Sequence, residues 1–239
     1  MEFAVIGAVI VVVAGIVIGL AYAGHKAEKQ RTEKFAQVAA EMGFDFEPVS
    51  PTWNQFGSLP LFSRGHSKKA RNVLRKVVRG SELTLIDYQY TVGSGKHRRT
   101  YRVTVAVFCA DGNQFPANFE LRPEGFWHKV GSYFGYQDID FESHPNFSNA
   151  YLLRGTHEAA IRNCFTPQVL EHFEQDPAKW CVETRGNRIA IYQQQRRVKP
   201  EELKQFLTDS TRVYLLFAPP APAVLSADSE IMAGDQQSS

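Results

Sequence analysis

The stretch LIDYQYTVGSGKHRRTYRVTVAVF, residues 85–108, decides the fold. Two runs rich in β-branched and aromatic side chains flank Gly93-Ser94-Gly95, which is the composition of a hairpin. Taking 83–92 and 101–109 as its arms, and 73–78 as a further strand reached through Arg79-Gly80-Ser81, the segment predicts an antiparallel meander of three strands. In the last arm Val103, Val105 and Val107 alternate with Arg102, Thr104 and Ala106, which predicts one buried and one wetter face. The Gly-Ser-Gly-Lys at 93–96 is a turn and not a phosphate-binding loop. Such a loop needs a glycine where Tyr90 stands and a hydroxyl where His97 stands.

Downstream, 115–121 reads as a fourth strand, and 156–165 and 167–174 as two short helices joined at Thr166, with Pro167 in a first turn. Residues 180–183 and 188–192 form a second hairpin about Arg185-Gly186-Asn187. Pro200 opens a last helix carrying Leu203, Phe206 and Leu207 and running to 217. Strands first and helices later, with hairpin-length connections, give an α+β domain over 44–217 with an antiparallel sheet and packed helices. Upstream of the strands, Phe44, Phe46 and Trp53 alternate with Pro48, Pro51 and Pro60 and predict an extended connector. Its Trp53 and Phe56 either cover the core or line a pocket. The proline-rich, polar residues 218–239 read as a disordered tail.

At the other end, residues 3–23 run without a charge or a strongly polar side chain. About 20 such residues cross a hydrocarbon core, and Glu2 in place of a basic leader favours an uncleaved anchor over 1–24. His25, Lys26, Lys29, Arg31 and Lys34 follow, and a basic flank marks the cytoplasmic side. The expectation is therefore a single-pass protein of the inner (plasma) membrane with its C-terminal domain in the cytoplasm. Gly15, Gly19 and Ala23 share a helical stripe on which a second copy could pack, giving a dimeric scaffold. In the juxtamembrane helix 25–43, Phe35, Val38, Ala39 and Met42 follow the repeat of an amphipathic helix that packs on the domain.

The composition excludes a disordered or collagenous chain and a multi-span membrane protein: of 239 residues, 44% are hydrophobic and 22% charged. Cys109, Cys164 and Cys181, odd in number and far apart, exclude a disulfide framework and a cysteine zinc site. The net charge of +2 hides a polarity, because residues 64–102 carry eleven lysines and arginines against Glu82 and Asp87. That region supplies the candidate binding surface, Lys68, Lys69, Arg71, Arg75, Lys96, Arg98 and Arg99, for anionic lipid or an acidic protein. Nucleic acid is not expected, since no recognition helix or RNA-binding signature accompanies the charge.

A competing, enzymatic reading rests on Asp138, Asp140, Glu142 and His144. In an extended segment these would share one face and could hold a divalent cation. Arg122 with Glu124 reads as a structural ion pair. No nucleophile elbow, His-Glu-x-x-His helix or dinucleotide turn is present, so no cofactor is expected and a non-catalytic binding or adaptor module leads. Residues 85–108, FELRPEGF at 119–126 and FGYQDIDFESHPNFSNAYLLRG at 134–155 resemble a group of uncharacterised bacterial proteins with an N-terminal membrane anchor. The resemblance runs from the anchor to about residue 217 and implies membrane location and bacterial origin. It carries no activity, cofactor or site.

Overall fold

The computed structural model describes residues 2–78, 81–110, 114–124 and 138–218, with side chains from residue 13 onward except at Thr52. The long helix α1, Glu2–Met42, is continuous through the expected boundary between anchor and juxtamembrane helix. Then come β1 (Asp45–Ser50), a 3-10 turn at Thr52–Phe56, and the single turn α2 (Pro60–Ser63). The meander follows as β2 (His66–Val78), β3 (Ser81–Val92) and β4 (Arg99–Cys109). The remainder is β5 (Phe119–Pro123), α3 (Pro145–Ala150), β6 (Tyr151–Gly155), α4 (Glu158–Cys164), α5 (Pro167–Gln175), β7 (Trp180–Arg185), β8 (Arg188–Gln193) and α6 (Leu203–Phe217). The strands form one antiparallel sheet in the order β1-β2-β3-β4-β8-β7-β5-β6. The architecture is α+β, as expected; most of the predicted tail, 219–239, lies outside the described residues.

Both faces of the sheet are covered, which corrects the expectation of a wetter side. Leu74, Leu85, Ala106, Ile189 and Ile191 face a layer made by α1, α3, α4, α5 and α6. Val73, Ile86, Tyr88, Val105 and Tyr192 face Phe56, Leu59, Leu61 and Phe62 from the segment before β2. Trp53 and Phe56 therefore cover core, and Phe56 is fully buried. Thr104, read as half-wet, is fully buried because α1 and the chain after β8 lie over it.

The connector also differs from its expected form. Residues 45–50 pair with β2 as an edge strand, in which Pro48, with no amide hydrogen to give, is the one position without a ladder partner. β2 begins at His66, seven residues before the expected start, and its register shifts twice; Ser67 and Asn72 sit at positive φ of 52° and 47°. β5 starts four residues after the expected strand and ends two after it, and Pro200 opens a 3-10 turn that passes into α6.

Candidate functional site

The C-terminal half of helix α1 packs on the sheet. Its last turn meets β2, where Lys76 donates to the Met42 carbonyl at 2.8 Å. Phe35 and Ala39 are fully buried in the core, so the apolar stripe packs on the domain as the periodicity predicted. One turn further back, Arg31 donates to both carboxylate oxygens of Asp87 at 2.7 and 2.9 Å and to the Val198 carbonyl at 2.6 Å. Asp87 also accepts from Asn72 at 3.0 Å and Thr104 at 2.7 Å, and pairs with Arg197 at 3.3 Å. Arg197 in turn grips Glu28 at 2.6 Å. That bond holds the Glu28 carboxyl below its ordinary pKa, and the charges of Arg102 and Arg31 reinforce it against partial burial.

N-terminal to Glu28 every residue of the helix from Val13 to Ala27 is exposed. Val13, Ile16, Val17, Ile18, Leu20 and Tyr22 are all more than half exposed. Gly15 and Gly19 have open space around them, and Ala23 is exposed on the same projecting stretch. Among the described residues no helix is long and apolar enough to cross a membrane; the side chains of residues 1–12 lie outside that set.

The bases of the meander divide into two sets. Arg75 pairs with Glu82 at 3.1 Å, Lys68 donates to the carbonyls of Phe62 and Ser63 while lying over the Trp53 ring, and Arg64 is held by Glu120 at 2.6 Å. These serve the fold. Lys69, Arg71, Lys96, Arg98 and Arg99 are exposed, and their side chains make no hydrogen bond or ion pair among the described residues. Arg102 spends its Nε on Gln89 at 3.0 Å. The β2–β3 and β3–β4 registers oppose Lys69, Gln89 and Arg102 in a row across three strands, with Arg71 opposite Asp87. With Glu28 and Arg197 this row lines a hollow of about 220 Å³. A second hollow of about 560 Å³, lined by Thr100, Tyr101, Arg102, Gln195 and Arg197, shares two of its arginines. Lys96, Arg98 and Arg99 lie further along, on the β3–β4 turn.

The sequence pointed to Lys69 and Arg71 but not to Glu28, Arg102 or Arg197. Asp87 carried the one usable signal: a carboxylate inside LTLIDYQY must find buried partners or destabilise its strand. Nothing in local periodicity connects Arg197 to Glu28, 169 residues away.

The opposite face holds a second polar cluster. Glu183, fully buried, accepts from the Leu61 amide at 2.7 Å, the Tyr192 hydroxyl at 2.8 Å and Arg122 at 2.8 Å. Arg122 also pairs with Glu120, so its partners are Glu120 and Glu183 and not the expected Glu124, which sits exposed after β5. Burial raises the Glu120 pKa to about 7, helped by the Glu183 charge and opposed by Arg64. The cluster fastens the 59–64 segment over the sheet.

The four residues of the metal reading do not share an extended face. Residues 138–141 are outside any strand and 142–143 turn. Asp138 is used in accepting the Leu153 amide at 2.9 Å, and its pKa is raised by partial burial. Asp140, Glu142 and His144 spread around the turn, and no group of three or more His, Cys, Asp or Glu side chains among the described residues could hold a metal ion. The three cysteines are free thiols.

No family model matches the chain, and no curated protein matches it in sequence. Among solved structures, the crystal structure of the mycobacterial trehalose monomycolate transport factor A, TtfA, superimposes with a TM-score of 0.56 at 14% identity. The match covers 80% of this chain and 97% of that one, and shows a shared fold.

Proposed function

We propose that the chain is a membrane-tethered, non-catalytic binding module of the inner (plasma) membrane, anchored through residues 3–23, with its C-terminal domain in the cytoplasm and its basic end turned to the anionic leaflet. One observation carries this reading: the unpaired bases and the uncovered apolar stretch of α1 stand at the same end of the domain. An apolar helix face of that extent needs cover, and a spanning segment finds it in lipid. The cytoplasmic leaflet is negatively charged, and each lysine or arginine near its surface contributes about 1 kcal/mol of attraction. The basic residues that follow residue 24 favour the same orientation. The fold is shared with a protein titled a transport factor, which is in keeping with an accessory, binding role.

Protease protection tests the placement. In intact spheroplasts a tag after Ser239 is expected to resist protease and to be digested only after lysis. Digestion without lysis would place the domain outside and end the anionic-leaflet reading.

A further inference from the structure

We propose that the hollow formed by Lys69, Arg71, Gln89 and Arg102 seats the phosphodiester of an anionic lipid headgroup, with Glu28 and Arg197 as its helix-side wall. The inference rests on the tethered reading and adds to it a site, a ligand class and a stoichiometry.

The first argument is charge that has no internal partner. Four cations and two carboxylates line the hollow. Asp87 is engaged by Arg31, Asn72, Thr104 and Arg197, and Glu28 by Arg197. Lys69 and Arg71 are left without a counter-charge, and Arg102 has spent only Nε. Guanidinium forks match the paired oxygens of a phosphate, and Gln89 adds a neutral polar group between them.

The second argument is rigidity. Lys69, Arg71, Gln89 and Arg102 stand on three hydrogen-bonded strands, and the wall is fixed to them through Asp87. A volume of about 220 Å³ is several times the roughly 30 Å³ of a liquid water, so a headgroup fits and not merely a single ion.

The third argument is position, and it selects a lipid over free phosphate. Glu28 lies five residues from Ala23, the end of the apolar run, which is about 7.5 Å of helix rise. The headgroup layer outside the hydrocarbon core is about 5–7 Å deep on each side. A helix that ends its apolar run at Ala23 and stands along the bilayer normal thus brings Glu28 to the outer edge of the headgroup layer, with the hollow beside it facing the lipid phosphates.

The test uses the full-length chain in neutral detergent, incubated with equimolar phosphatidylglycerol and phosphatidylcholine, with bound lipid extracted and counted. Wild type is expected to retain about one phosphatidylglycerol per chain and to exclude phosphatidylcholine. R71Q/R102Q is expected to lower that retention about tenfold or more, whereas R98Q/R99Q on the neighbouring turn leaves it intact. K69Q alone, which removes one exposed charge, should give an intermediate loss, and thermal melts establish that all variants fold. Retention unchanged in R71Q/R102Q, or equal for both lipids, overturns the site. Displacement of the lipid by an equal concentration of inorganic phosphate also overturns it, assigning the hollow to free phosphate. Alkaline carbonate extraction of cell membranes reads the tether separately. Release of the chain by carbonate sinks the tethered reading, while the lipid count alone judges the hollow.

Discussion

Asp87 shows how much one side chain can organise. It is almost fully buried, it carries a charge in the middle of a strand, and it joins β2, β3, β4, α1 and the segment after β8. Removing it strands Arg31 at a buried interface, so D87A is expected to cost about 3–5 kcal/mol, read as a shift in the urea unfolding midpoint. T104V, which loses the hydroxyl joining Asp87 to the Val198 amide, should cost less, about 1–3 kcal/mol. Glu120 makes a different prediction. Its folded pKa of about 7 stands above the ordinary 4.5, so between those values the native state binds more protons than the unfolded chain. Stability from this group therefore falls as pH rises through that window. E120Q carries no proton to lose, and its stability relative to wild type should improve from pH 4.5 to 7. Parallel stability curves would refute the assignment. Gly65 is constrained by geometry alone: at φ +60° a Cβ would come within 2.2 Å of the Thr91 carbonyl oxygen, so alanine there must displace β3 or the turn before β2.

At the scale of elements, α1 depends on a few contacts along a narrow stripe. F35A empties a fully buried site and should destabilise by about 3–5 kcal/mol, with proteolysis between α1 and β1 appearing before cleavage within the sheet. The elements that were legible in sequence are those whose signals are local. The hairpin of β7 and β8 shows alternation around Arg185-Gly186-Asn187, and α5 shows a proline start and an apolar stripe. β1 was not legible because a strand exposed on most of its residues and interrupted by Pro48 looks like a connector until its partner is known. The first half of β2 was hidden by register shifts that break its alternation. β6 is five residues long and adjoins α3 directly, leaving no turn signal to bound it. The hollow was half legible: composition marked its β2 bases, whereas its wall comes from residues 28 and 197, joined only by the fold.

Taken whole, the molecule is one antiparallel sheet with a helical layer on one face and the segment before β2 on the other, and the sheet order sets how that arrangement can arise. β8 sits between β4 and β7, so the meander stays open at β4 until residues near the C-terminal end of the domain arrive. Synthesis delivers the chain N-terminus first, and the roughly eighty residues from Cys109 to Arg188 take about 4–16 s to emerge. During that interval the edge of β4 at Val105–Cys109 has no strand to pair with. A chain ended at residue 187 freezes that moment, and it is expected to sediment as aggregate when expressed, where the full-length chain does not.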